Sequence, residues 1–254
     1  MDLKNATHLA LVRYGAPGDG AANAVDPLEL VARMGRSGVH ELVETAFGDA
    51  PAATGLALAA LASARAGAIL WVAQTRGRGG EAEHGRLLGH GARAVGLDPG
   101  RLLSVRAGKR LEALWTVEEG LRSGAVSAVV AEIDGADFTA SRRLSLAAEA
   151  HGVPLLLLMP HDRQGTSAAQ SRWRVAARPS AANAYDPRAP GCPRWQARLE
   201  RSRLAPEAAG RAFELEFDDA TLSLRLVPGL AARPAATRTP GSADRHARPL
   251  AKAG

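Results

Sequence analysis

The chain has 254 residues, 46% of them hydrophobic, with a formal net charge of +6. That supplies one good-sized core, while no uncharged stretch reaches the roughly 18–20 residues of a membrane span and no signal-type apolar run follows Met1-Asp2-Leu3-Lys4. The single cysteine, Cys192, excludes an internal disulfide and a cysteine-rich zinc site, and it fits a reducing, cytoplasmic compartment. The charge is unevenly placed. Residues 228–254 carry Arg233, Arg238, Arg245, Arg248 and Lys252 against Asp244, which leaves only +2 for everything before them. The folded part therefore needs no nucleic-acid-binding face to explain the basic pI.

In chain order, residues 1–26 read as a weak start and a Gly/Ala-rich loop. Asp26-Pro27 then opens a helix, with Asp as N-cap and Pro at the first position, and Leu28, Leu30, Val31 and Met34 as its apolar stripe. A strand follows over 39–46, then a loop, then an Ala/Leu-rich helix. Residues 68–73 form a continuous apolar run, the mark of a buried parallel strand. Arg76-Gly77-Arg78-Gly79-Gly80 is a solvated loop that could also touch phosphate. Residues 81–88 are a helix candidate. Leu102-Leu103-Ser104-Val105 is a short strand. Leu111, Leu114, Trp115, Val117, Glu118 and Leu121 have helical spacing up to Gly124. A buried strand over 126–131 ends near Glu132. Thr139 or Ser141 caps a helix through Ala150, and the next strand runs over 153–158. Strand and helix alternate, so a mainly parallel sheet flanked by helices is expected.

After Pro160 the period becomes two. Trp173 and Val175 alternate with arginines, Trp195, Ala197 and Leu199 with polar residues, and Phe213, Leu215 and Phe217 with Glu214 and Glu216. Asp218-Asp219 is a turn before Leu222, Leu224 and Leu226. These are half-exposed antiparallel strands at one sheet edge, with residues 180–193 as a loop between two of them. The Pro/Ala/Arg/Gly composition of 227–254 cannot bury enough apolar surface to order itself and reads as a disordered basic tail.

One loop carries the only recognisable chemistry. Gly48-Asp49-Ala50-Pro51-Ala52-Ala53-Thr54-Gly55 lies between a strand and a helix, the setting of a phosphate-binding loop. An active loop needs a second glycine, then a lysine to neutralise phosphate, then a hydroxyl for Mg²⁺. Those positions hold Ala53, Thr54 and Gly55, so ATP hydrolysis of the ordinary kind is not expected and no cofactor is assigned. Gly48 itself permits a tight turn. Lys109 could stand in for the missing lysine but reads more simply as a surface residue. Asp134 and Asp137 have metal-like spacing, but helix capping before Ala140 explains them more simply. His40, His84, His90, His151 and His161 lack metal-ligand spacing. Trp71, Trp115, Trp173 and Trp195 lie at core-type spacings.

The order of these parts resembles a RecA recombinase core. The departures from it resemble more narrowly the ImuA family, RecA-like (also SulA-like) accessory proteins of bacterial mutagenic translesion synthesis. The carrying stretches are Val39-His40-Glu41-Leu42, Ile69-Leu70-Trp71-Val72, residues 113–122, residues 138–144, Gly152-Val153-Pro154-Leu155 and Ser171-Arg172-Trp173-Arg174-Val175. The resemblance covers roughly 39–226. It implies an α/β, RecA-like domain over 39–226, with a mainly parallel central sheet, antiparallel edge strands and a degenerate P-loop, after a short helical lead over 1–38.

Carried across, the phosphate lysine falls on Thr54, the metal hydroxyl on Gly55, the water-activating carboxylate on Gln74 and the second acidic position on Glu132. Gln74 cannot act as a base at neutral pH. The DNA-binding loops shrink to about 134–138 and 161–167. The resemblance implies a non-enzymatic component of the SOS mutagenesis machinery. Its partners would be an ImuB-type Y-family-like protein and an error-prone C-family DNA polymerase, with single-stranded DNA, RecA or a second copy as further contacts. The alternatives are an atypical ATPase using Glu132 with Lys109, a DNA-binding recombinase regulator, and a SulA-like inhibitor of cell division.

Overall fold

The computed structural model describes residues 25–75 and 85–227. The first helix, α1 (Pro27–Met34), starts where Pro27 fixes the backbone and the Asp26 carboxylate accepts the Leu28 N–H at 2.9 Å. Then come β1 (Val39–Glu44), α2 (Ala50–Leu61), β2 (Ile69–Gln74), the short α3 (Gly89–Ala94) and β3 (Leu102–Ala107). The α4 helix (Arg110–Ser123), β4 (Ala128–Glu132), α5 (Phe138–His151) and β5 (Leu155–Met159) complete the alternating part. Four strands follow without helices longer than one turn between them: β6 (Ser171–Arg178), β7 (Arg194–Ser202), β8 (Ala212–Asp218) and β9 (Ser223–Leu226).

All nine strands join one sheet in the order β3-β2-β4-β5-β1-β6-β7-β8-β9. Neighbours from β3 through β6 pair parallel, and β6 through β9 pair antiparallel. The expected α/β architecture, a mainly parallel sheet with an antiparallel wing, is the one observed. Its helices divide between the two faces as right-handed crossovers demand. On one face α1, α2 and α3 pack over Leu42, Ile69, Trp71, Val130 and Leu156, and this core continues under the wing through Trp173, Trp195, Leu199, Leu215 and Phe217. On the other face α4 and α5 pack over Val39, Val43, Val72, Val129 and Leu157. The α1 helix, placed in an N-terminal lead by sequence, shares the first core: Leu28, Val31 and Met34 are buried and it packs on α2.

Three local expectations are corrected. Of the helix candidate over 81–88, residues 81–84 lie outside the described set; 85–88 is not helical, because Gly85 takes φ +85°, and the helix begins at Gly89. The α5 cap is Asp137, whose carboxylate accepts the Ala140 N–H at 2.7 Å, so the helix starts before Thr139. Ser141 is instead fully buried and bridges the Phe138 carbonyl and the Ala168 N–H. Trp115 is not a core residue. The face of α4 against the sheet is the small stripe Ala113, Val117, Leu121, and Trp115 is left 63% exposed. The tail over 228–254 and the Arg/Gly loop over 76–80 lie outside the described residues.

Every residue of β1 is buried, including three ionisable ones, His40, Glu41 and Glu44. His40 sits between the Ser171 hydroxyl at 2.7 Å and the Ser37 carbonyl at 2.8 Å. Burial holds its pKa down at about 4, although the bond to the Ser37 carbonyl pulls the other way. Glu41 is fully buried on the opposite face of the strand and meets Arg172 at 2.5 Å and Arg163 at 3.8 Å. Arg201 lies beside them, its pKa lowered by burial and by Arg172.

Two outcomes are expected. The unfolded imidazole titrates near 6.5 and the folded one near 4, so the unfolded chain binds more protons between these values. Stability is then full above about pH 6.5 and falls as pH drops to 4, by about 3 kcal/mol from this group. Urea titrations across that window should show the slope, and His40→Gln should reduce it. Glu41→Gln leaves arginines without their buried counter-charge and should cost about 3–5 kcal/mol in the same assay.

Candidate functional site

The loop between β1 and α2 sits at the carboxyl end of the parallel strands, where open α/β sheets bind ligands. Gly48 takes φ +98°, a turn that favours glycine. A phosphate site would need free N–H groups aimed into this loop. Here those of Ala46, Asp49, Ala52 and Ala53 are engaged within the chain. The Asp49 carboxylate accepts the Ala46 N–H at 3.0 Å with one oxygen and the Ala177 N–H of β6 at 2.9 Å with the other. The Ala52 and Ala53 N–H groups both donate to the Asp49 carbonyl, and Pro51 has none to offer. The chain's own carboxylate takes backbone donors of the kind a phosphate would use.

The helix also starts early. Because α2 begins at Ala50, Thr54 and Gly55 lie a full turn inside it rather than at its N-terminus. Thr54 is half-buried. Gly55 lies under the Trp195 ring of β7, and a Cβ there would overlap that ring. The position that would carry the metal hydroxyl is thus a packing contact between α2 and the wing.

The two strand-end positions are separated. Glu132 follows Ala128 and Val130 on the α2 side of the sheet, and its carboxylate accepts the Trp71 indole N–H at 2.5 Å. Gln74 follows Leu70 and Val72 on the α4 side. Its amide donates to Asp134 at 2.9 Å, and its carbonyl oxygen accepts the Asp134 N–H at 3.1 Å. Asp134 also pairs with Arg110 at 3.7 Å. Lys109 precedes α4, is 81% exposed and pairs with Glu112 at 4.0 Å. The structure therefore places Thr54 and Gly55 on α2 with Gly48 in the loop before it, and sets Gln74 and Lys109 on the other side of the sheet from Glu132.

Among the described residues, Cys192, Asp218 and Asp219 cluster closely enough to share an ion, but Asp218 already accepts the Ala220 and Thr221 N–H groups and pairs with Arg225 at 3.2 Å. A cleft of about 340 Å³ opens beside the loops after β4 and β5, between Arg110, Asp134, Asp137, Asp162 and Arg163. Sequence reasoning missed the Glu41–Arg172–Arg163 cluster. Its signal was weak, because β1 reads Val-His-Glu-Leu-Val-Glu and only its burial on both faces in the centre of the sheet forces Glu41 to be paired. Among the described residues, no helix is long and apolar enough to cross a membrane.

No family model matches the chain. Protein ImuA of Caulobacter vibrioides, in two strains, is 35% identical over 181 residues, spanning 65% of this chain and 70% of the relative. The crystal structure of SulA from Pseudomonas aeruginosa is similar at a TM-score of 0.39 and 22% identity, over 48% of this chain and 97% of that one. With a third of the residues shared across more than two thirds of the curated relative, the chain belongs to the ImuA family.

Proposed function

We propose that this protein is a non-catalytic accessory component of SOS-induced translesion DNA synthesis. It works through contacts with an ImuB-type Y-family-like protein and an error-prone C-family DNA polymerase. The family supports the context. The observation that carries the non-catalytic reading is the filled loop: the Asp49 carboxylate accepts the Ala46 N–H and ties the loop to the Ala177 N–H of β6, and Trp195 occupies the face of Gly55. Phosphoryl transfer depends on positioned cations around the γ-phosphate, and the described part of this loop holds neither a lysine nor a metal hydroxyl. Gln74 and Glu132 serve as structural hydrogen-bond partners of Asp134 and Trp71.

Calorimetry should give no heat with ATP and Mg²⁺, and turnover with or without single-stranded DNA should stay at background. ATP turnover abolished by Glu132→Ala would replace this reading with an atypical ATPase. In pull-downs the chain should retain the Y-family-like protein and the polymerase; selective capture of the division filament protein would point to a cell-division inhibitor instead.

The packing makes a further prediction. Gly55→Ser, which formally restores the metal hydroxyl, should not restore nucleotide binding. It should destabilise the fold by about 1–3 kcal/mol through overlap with Trp195. Asp49→Ala should cost less, about 0.5–1.5 kcal/mol, because it removes two hydrogen bonds whose donors water can reach. Urea midpoints of the two variants against the parent check both.

A further inference from the structure

The charge of the antiparallel wing is not spread evenly. Trp173 and Val175 of β6 and Trp195, Ala197 and Leu199 of β7 face the first core, so the residues between them face the opposite side of the sheet. The register there sets Arg172 opposite Arg201, Arg174 opposite Arg198 and Arg178 opposite Arg194. Like charges directly opposite one another destabilise a sheet, and this one keeps three such pairs. Carboxylates answer some of them. Arg178 lies 3.8 Å from Glu214 and Arg194 2.5 Å from Glu216, so the third pair is balanced from β8. In the other two, Arg172 is held by Glu41 and Arg174 by Glu200, both at 2.5 Å. Arg198 and Arg201 have no carboxylate within ion-pair distance among the described residues, nor has Arg203, two positions beyond Arg201. Together with Arg163, six guanidinium groups share Glu41 and Glu200. Asp162, the acid beside Arg163, lines the cleft next to the loops after β4 and β5 instead.

We propose that this arginine face of β6 and β7 binds the phosphate backbone of DNA. The excess charge is positive and partly desolvated. Burial lowers the Arg201 pKa first, and Arg172 and Arg203 add to the effect against Glu41. Arg201 donates to the Ser167 hydroxyl at 3.4 Å and the Ala169 carbonyl at 3.1 Å, which fix the group without neutralising it. Arg198 and Arg203 are exposed, so an anion reaches them directly. Arg172 and Arg174, and again Arg201 and Arg203, lie two residues apart along the chain, which on an extended strand is about 6.6 Å. Such regularly repeated guanidinium groups suit a polymer with one negative charge in every unit better than they suit a single carboxylate side chain. The helices on this side of the sheet, α4 and α5, pack over the parallel strands and leave β6 and β7 without a helix above them. The alternate residues on this side of β6 and β7 include no aromatic ring to stack on a base. The contact is therefore to phosphate and independent of base sequence.

The contact goes beyond the accessory role proposed above and does not depend on it, because it needs neither ATP nor a polymerase. Fluorescence anisotropy of a labelled mixed-sequence oligonucleotide, single-stranded and as a duplex, tests it with the purified full chain. Binding should weaken steeply between about 50 and 200 mM salt. Arg198→Ala and Arg203→Ala should each weaken it about fivefold to tenfold at about 50 mM salt and flatten the log–log salt slope by about 0.7 on a strand or 0.9 on a duplex. The double variant should flatten it about twice as far. The form bound more tightly identifies the source of the backbone. Urea midpoints should stay close to the parent's, since Arg198 and Arg203 are exposed and hold no carboxylate. The five cations of residues 228–254 are present in every variant, so a change of slope reports the wing. Arg93→Ala, an exposed arginine on α3 across the sheet, should leave affinity and slope as they are. A parent that ignores both oligonucleotides overturns the proposal, whatever its polymerase partners do. So does a double variant with the parent's affinity and slope, or an equal loss on Arg93→Ala.

Discussion

The contact between Trp195 and Gly55 is the constraint on which the architecture turns. It joins the antiparallel wing to the helix that a nucleotide-binding protein would reserve for phosphate and metal. A side chain at residue 55 would push the indole away, and the indole belongs to the same core as Phe217, Leu215 and the α2 leucines. Asp49 makes a second link of the same kind, from the loop to the backbone of β6. A loop tied to the wing at two points is held by protein contacts where a nucleotide-binding protein keeps its loop open for phosphate. The absence of lysine and hydroxyl at residues 54 and 55 is therefore one aspect of a packing solution.

The wing also explains where much of the chain's arginine goes. One of its faces is apolar and packs on the first core. The other carries alternating charges matched across strands: Arg174 to Glu200 at 2.5 Å, Arg194 to Glu216 at 2.5 Å, and Arg225 to the same Glu216. Burial alone would raise the Glu216 carboxyl, but hydrogen bonds from Arg194 and Arg225 outweigh it and hold the group below the usual carboxylate range. Cross-strand pairs of this sort hold register where one face of a sheet has no helix over it. Glu41 continues the pattern into the centre of the sheet, where Arg172 crosses from β6 to meet it. Most of these guanidinium groups thus serve the sheet itself, in keeping with the small charge excess outside the tail.

The sequence made the parallel core legible because its signals are local. The short apolar runs at 68–73, 126–131 and 153–158, bounded by turn residues, read as buried strands, and Asp26-Pro27 names a helix start by itself. The change to period two after Pro160 announced the antiparallel wing. The candidate site was legible only as a loss. Thr54, Gly55 and Gln74 showed which groups were missing, with Gly48 and Glu132 as the positions retained, but what replaced the missing groups depends on long-range contacts. Nothing near Gly55 in sequence points to Trp195, 140 positions away. Nothing near Gln74 points to Asp134, because the parallel crossover that brings them together spans β3 and α4. Gly85 was a smaller miss of a different kind, a single backbone conformation deciding where a helix begins.

Trp115 shows the same limit from the other direction. Its spacing with Leu111 is helical and would suit a core, yet α4 has two apolar stripes and the sheet accepts only one. Gly120 settles which. It lies so close to the β2 strand that a Cβ would overlap Leu70, so α4 rides low on the sheet with small residues beneath it. Ala113 and Val117 fit that narrow space, whereas an indole does not. Close packing of the helix and exposure of the tryptophan are then one choice: Ala113 and Val117 let α4 approach the sheet, Leu121 is buried at the far end of the same stripe, and Leu111 and Trp115 on the next stripe are turned outward.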